Sequence, residues 1–188
     1  VTIATGQIMR FHEYPTSYAS NLMPNTTSNT TLSNFLKILH DDLKVSDAGG
    51  AYISDAERVF KRYGYNRKKV DHSVFEVDVS LTKKNPVYMR GTHQETNEGH
   101  AWVCDGSKSL QPRTEYRMYE LLFSNNKPYM MDEFAQEIIY GDIYTMYHMN
   151  WGWKGLNDGY FYDKYIDVPS NGTRYNFSSG RQDLIISK

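Results

Sequence analysis

Two stretches of this 188-residue chain hold side chains that could do acid–base chemistry. One is residues 97–106, where His100 follows Gly99; the other is residues 147–155, where Asn150 is followed by Trp151, Gly152 and Trp153. His100 opens a strand-like run, at a point where a side chain emerges on the rim of a sheet and the glycine lets backbone or substrate come close. Asn150 closes another such run, in which Tyr144, Met146, His148 and Asn150 share one face. If the runs pair antiparallel, the start of one lies beside the end of the other, and His100 meets Asn150 at one edge. A carboxamide oxygen accepting the imidazole N–H fixes tautomer and ring direction, as a general base requires. Trp151 would shield that hydrogen bond from water. The same residues also read as a structural histidine and as core aromatics around a glycine turn.

Cys104, the single cysteine, is the obvious nucleophile, and its spacing excludes it. Four positions along one strand put it about 13 Å from His100, whereas a thiol–imidazole pair needs hydrogen-bond reach. The same distance keeps the two from sharing a metal, and a small thiol inside a strand packs as an apolar residue. His93, Glu95 and His100 match no ligand spacing, so no metal site is expected. No Gly-Xxx-Gly-Xxx-Xxx-Gly fingerprint, phosphate loop or Gly-Xxx-Ser-Xxx-Gly elbow occurs. Nothing selects a catalytic pair from the 22 carboxylates for glycoside hydrolysis. With 21 Lys and Arg, a net charge of −1 and no basic run, the chain is no nucleic-acid binder. No run approaches the ~18 apolar residues of a membrane span, and one cysteine leaves no intramolecular disulfide.

The elements that must position these residues are helical first and strand-like afterwards. Residues 1–12 read as a helix from the first position, with Ala4, Ile8 and Phe11 on one buried face. A helix without a start signal reads as truncated, so the chain is expected to be a fragment. Residues 15–31 form a polar loop; Leu32, Phe35, Leu36, Leu39 and Leu43 predict a helix capped by Thr31 or Ser33, ended before Gly49 and Gly50. Ser54-Asp55-Ala56-Glu57 reads as a capping box for a helix reaching Tyr63 and stopped by Gly64. Strands are expected at 74–79, 86–90, 101–104, 116–123, 143–150, 159–162 and 184–187, with a short helix at 131–139. That order predicts one α+β domain in two layers.

Three blocks then stand out, in this order: Ala-Thr-Gly-Gln-Ile-Met-Arg-Phe-His-Glu-Tyr-Pro at 4–15, Pro-Val-Tyr-Met-Arg-Gly at 86–91 ahead of Gly-His-Ala-Trp-Val-Cys-Asp-Gly at 99–106, and Tyr-His-Met-Asn-Trp-Gly-Trp-Lys-Gly-Leu-Asn-Asp-Gly-Tyr-Phe at 147–161. Together they resemble the streptopain family of papain-clan cysteine peptidases, which are bacterial and secreted. The resemblance implies a papain-like fold, a helical part packed on an antiparallel sheet. It also implies a cysteine endopeptidase needing no cofactor, with His100 as base, Asn150 orienting it and Trp151 shielding the pair. Aligning on Gln7-Ile8-Met9 places the nucleophilic cysteine immediately before Val1. There, a helix N-terminus lowers a thiol pKa and its N–H groups help form an oxyanion hole.

Further implications are protein or peptide substrates, a hydrophobic side chain two positions before the cleaved bond, and an N-terminal inhibitory prodomain behind a signal peptide. Location is expected to be secreted or cell-surface, without membrane span or nucleic-acid partner. His100 and Asn150 lie 50 positions apart, wider than in the family, so residues 107–140 or so read as an insertion. Residues 1–188 then form one papain-like peptidase domain, N-terminally incomplete. The Asn-Xxx-Thr/Ser sites at Asn25, Asn29, Asn171 and Asn176 are incidental on this reading. Two other readings compete: a peptidase homologue lacking the cysteine, whose cleft only binds peptide, and a carbohydrate-binding module built on aromatic platforms, favoured by 14% Phe, Trp and Tyr.

Overall fold

The computed structural model describes residues 1–24, 27–46, 50–170 and 172–188, so the Asn25 and Asn171 sites and Gly49 lie outside the described residues. Helix α1 (Thr2–Phe11) starts at the chain's second residue. It buries Ala4, Thr5, Gly6, Ile8 and Met9, whereas Phe11 is 56% exposed and does not extend the buried stripe. Gly6 lets α1 close on α2 (Thr30–Leu43), since a Cβ there would sit 3.3 Å from Leu36 and Phe35. The cap of α2 is Asn29, whose Oδ1 accepts the Leu32 N–H at 2.8 Å, rather than Thr31 or Ser33. Helix α3 (Ile53–Arg62) begins a residue before the expected box, with the Asp55 carboxylate accepting the Tyr52 N–H at 3.1 Å.

Strand β1 (Asn66–Asp71) leads into α4 (Val74–Thr82), which replaces the strand expected at 74–79. Ser73 accepts the Glu76 N–H and starts the helix, and Val77 and Ser80, three apart, are its buried positions. Packing of that stripe overrides the β-propensity of Val74, Val77 and Val79. After α4 come β2 (Val87–Thr92), β3 (Gly99–Leu110), β4 (Arg113–Ser124), β5 (Lys127–Tyr140), β6 (Tyr144–Asn150), β7 (Gly159–Tyr162), β8 (Asp167–Ser170), β9 (Thr173–Asn176) and β10 (Ser179–Ser187).

The main sheet runs β1-β10-β2-β3-β6-β7, and its registered pairs are antiparallel. Between β3 and β6, Asp105 reaches His148 while His100 reaches Trp151, so rising positions on one meet falling positions on the other and the pair is antiparallel as well. The chain thus has the expected α+β, papain-like make-up of helices on a mostly antiparallel sheet. Both faces of the sheet are buried, which accounts for the near-continuous apolar runs of β2 and β3. Tyr88, Ala101, Val103, Leu184 and Ile186 pack against α1, α2 and α3. Val87, Met89, Trp102, Cys104, Tyr147, Met149 and Trp151 pack on the other side with Val77 of α4.

At Gly91 the backbone of Phe177 comes so close that a Cβ would lie 2.2 Å from the Phe177 carbonyl oxygen and 3.0 Å from Trp102. Gly91→Ala is therefore expected to cost about 1–3 kcal/mol, because the obstructing atom is backbone and cannot rotate away. Urea titration of the two proteins checks this; equal midpoints would refute it.

Residues 109–145 form a compact unit of their own, distinct from one made of Val1–Lys108 and Met146–Lys188. The unit overlaps the stretch read as an insertion. It is a two-stranded ribbon in which β4 pairs with β5 from Arg113↔Tyr140 to Ser124↔Lys127. The helix expected at 131–139 is therefore strand: each residue of a nine-residue helix would need its own tertiary support, and β4 offers a ladder instead. Arg113, Glu115, Arg117 and Glu133 make a charged row along it. Among the described residues no helix is long and apolar enough to cross a membrane.

Candidate active site

His100 is the second residue of β3, and the pleat puts it on the side of the sheet that carries Trp102 and Cys104. Its ring sits among aromatics, with centroids at 4.9 Å from Trp153, 5.4 Å from Phe177 and 6.0 Å from Trp151. Its Nε2 lies 3.1 Å from the Trp151 carbonyl oxygen. A carbonyl can only accept, so Nε2 carries the proton and Nδ1 keeps the lone pair. Burial pushes the imidazole down to about 4; the Trp151 carbonyl opposes that shift, and positive charge on the Val1 nitrogen adds to it. Near neutral pH the ring is uncharged and basic at Nδ1.

Asn150 ends β6 on the opposite side of the sheet, towards α1. Its Oδ1 accepts the Gln7 Nε2–H at 2.6 Å and the Gly152 N–H at 3.1 Å. Strand pairing alone predicts that oxygen on His100 directly. The structure brings the two residues to one edge but not side chain to side chain, because successive strand residues face opposite ways. What joins them is a single peptide group: the carbonyl of Trp151 accepts from His100, and its N–H, that of Gly152, donates to Asn150. The Trp151 N–H is held in turn by Asp158 Oδ1 at 2.9 Å.

Trp151 is 1% exposed and packs 4.9 Å from Trp102, centroid to centroid. Trp102 is fully buried and Trp153 half-buried, so these rings lack the open faces a sugar platform needs. Cys104 is fully buried, and burial pushes its thiol well above the ordinary cysteine range. His93 is a structural residue: Nε2 faces the Arg174 carbonyl at 3.2 Å, and Nδ1 accepts the N–H groups of Glu95 and Thr96. Among the described residues no group of three or more His, Cys, Asp or Glu is placed to hold a metal ion.

A cleft of about 990 Å³ runs along the seam of α1 and the turn after β6, lined there by Ile3, Gln7, Asn150, Gly152 and Asp158. A model of the Peptidase C10 family matches residues 46–161, well over half of the chain, and that span takes in His100, Asn150 and Trp151. The chain belongs to the Peptidase C10 family. Streptopain from Streptococcus pyogenes is 23% identical over 211 residues, covering 86% of this chain and 44% of its own length. Streptopains of S. pyogenes serotypes M3 and M1 match to the same extent. This C10 chain thus spans less than half the length of the curated relatives it matches.

Three residues of this candidate site are not singled out by the sequence analysis: Gln7, Gly152 and Asp158. The signal at Gln7 and Ile3 is their spacing of four, which puts both on one face of α1. Gly152 has φ +74°, and a Cβ on it would come 2.7 Å from the Ile3 side chain. The turn therefore needs glycine twice over, for its dihedral and for the approach of the helix.

Proposed function

We propose that this chain is most of the mature domain of a bacterial cysteine endopeptidase, whose nucleophile is a cysteine immediately before Val1. The observation that carries this is that one turn, residues 150–152, both orients the His100 imidazole and receives helix α1 through Ile3 and Gln7. Gln7 and Ile3 mark the face of α1 that lies on the turn holding His100. Counting back along that face, the next position is the residue before Val1. A thiol there sits at a helix N-terminus, where the dipole favours thiolate and free N–H groups point at an incoming oxyanion.

His100 Nδ1 takes the thiol proton, and the sulfur attacks the carbonyl carbon of a peptide lying in the cleft. The tetrahedral oxyanion is held by backbone N–H groups at the helix start. His100 then gives the proton to the leaving amine, and a thioester forms. Water, deprotonated by the same imidazole, hydrolyses the thioester and restores the thiol. Trp151 supplies the carbonyl that orients the base and an aromatic wall beside it; Asn150 holds that carbonyl's peptide group. With a residue ahead of Val1 its nitrogen is an uncharged amide, which removes one downward push on His100. A neighbouring thiolate then favours imidazolium.

Proteins are the substrates on this reading. An N-terminal inhibitory prodomain and export from the bacterial cell are parts of the same proposal. The test is a denaturing intact mass of the full-length protein before and after brief native iodoacetamide, with peptide mapping and a peptidase assay. One thiol should alkylate rapidly and map to the position before Val1, activity should vanish with it, and Cys104 should stay unmodified. A full-length protein in which Cys104 is the only thiol near these residues, or in which activity survives alkylation, would overturn the reading.

A further inference from the structure

Gln7-Ile8-Met9 helped mark the resemblance, yet the reaction above assigns Gln7 nothing. Its amide spans 143 positions of sequence to reach Asn150, with Nε2 2.6 Å from Oδ1. The other end of the Gln7 amide, Oε1, is buried and has no hydrogen-bond partner among the described residues. A glutamine kept only for packing would leave a buried acceptor unpaired for no return, where leucine or methionine would fill the space without that penalty. The donor end is therefore what the position uses.

That donor acts on one peptide group. Asn150 Oδ1 receives Gln7 on one side and the Gly152 N–H on the other, and the carbonyl of the same 151–152 peptide receives His100 Nε2. Four residues before Gln7, Ile3 bears on Gly152 itself. Behind the helix, Gly6 seats α1 on Phe35 and Leu36, which fixes its rotation. Helix α1 is thus clasped to the turn on both flanks of the carbonyl that aims the imidazole.

We propose that Gln7 is a positioning residue for catalysis: through Asn150 and the 151–152 peptide it sets the direction of the His100 ring relative to the N-terminus of α1. This rests on the cysteine-peptidase reading. Gln7 is on the cleft wall, but the part assigned to it is indirect, through Asn150 rather than on the reacting atoms. Its role is to keep Nδ1 within proton-transfer distance of a thiol carried by the same helix, and displacements of about 1 Å in such pairs cost on the order of 10²-fold in rate.

Gln7→Leu keeps the bulk and loses the donor. Gln7→Glu keeps the shape, but its carboxylate cannot donate to Asn150 Oδ1. To accept instead, it must turn the Asn150 amide over and take Oδ1 off the Gly152 N–H. Below the pKa of that new carboxyl, near 4.3 in the absence of a shift, the group is protonated and becomes a donor again. In the full-length enzyme both variants should lower kcat about 10- to 100-fold near pH 7 with KM within about twofold. The ratio of Gln7→Glu to wild-type kcat should climb as pH falls towards about 4, while that of Gln7→Leu stays flat. A purely structural role would lower the melting temperature and leave these ratios independent of pH. The proposal is overturned if both variants match wild-type kcat, or if the Gln7→Glu ratio does not change with pH. A wild-type protein with no peptidase activity and no fast-reacting thiol overturns the cysteine-peptidase reading and this proposal with it.

Discussion

Replacing His100 by alanine is expected to lower kcat/KM for peptide hydrolysis by the full-length protein at least about 10³-fold, with little loss of fold. Two functions disappear together: the base that takes the thiol proton and the acid that protonates the leaving amine, each supplying typically 10²- to 10⁴-fold. The thiol also loses the partner that favours its thiolate, so its alkylation rate at pH 7 should drop in parallel. Stability should change less. His100→Ala gives up one hydrogen bond to a backbone carbonyl at a turn, worth about 1 kcal/mol, and the packing of the ring on Trp153 and Phe177, together about 2–3 kcal/mol. Steady-state kinetics alongside a thermal melt separates the two effects. A His100→Ala protein retaining a tenth of wild-type activity would remove His100 from the mechanism, whatever the melt showed.

The rim of the sheet was legible before the structure because its signals are local. Gly99 ahead of a strand-like run, and Asn150 with a glycine turn behind it, each mark a strand end without reference to anything distant. What decides how the two ends meet is the pleat, and sequence gives no absolute face for a strand buried on both sides. In β3 the residues of both faces are apolar, Ala101 and Val103 on one side and Trp102 and Cys104 on the other. An alternating pattern that would have shown His100 and Asn150 facing apart is therefore missing. The Gln7–Asn150 bond was beyond reach for a different reason: a contact 143 residues long leaves no trace in any window. At α4 the signal was present and outweighed. Ser73 and Glu76 carry its Ser-Xxx-Xxx-Glu start, but the alternating valines at 77 and 79 point to a strand. Strand β1, by contrast, reads Asn-Arg-Lys-Lys-Val-Asp and buries almost nothing; its charges suit the outer edge of the sheet, where they discourage pairing with a second chain.

Away from the cleft, Asp183→Asn is expected to cost about 3–5 kcal/mol of stability, because it breaks a buried charge network rather than a surface pair. Asp183 on β10 is fully buried, and its Oδ2 lies 2.8 Å from Nδ1 of His72. The other ring nitrogen of His72 is 2.8 Å from Asp163 Oδ1, and Arg181 donates to the same carboxylate at 3.1 Å. Two carboxylates on one imidazole require the imidazolium, which has a proton for each. Burial alone would lower the His72 pKa, but the hydrogen bonds to Asp163 and Asp183 outweigh it, and the value is raised above 6.5. Burial would likewise raise Asp163; the hydrogen bond from His72 and the charge of Arg181 outweigh that, and it is lowered below 3.8. The signs follow. A raised histidine stabilises the fold fully below its unfolded value and stops doing so as pH rises through its folded one. A lowered carboxylate stabilises above its unfolded value and stops as pH falls through its folded one. The network therefore contributes most between about pH 4.5 and 6.5 and fades at higher pH. Urea denaturation of wild type and Asp183→Asn from about pH 4.5 to 8.5 should give a stability difference that is largest near pH 5.5 and smaller near pH 8.5. A difference that stays constant over the same span would mean His72 is neutral in the folded protein and the network is held by Arg181 alone.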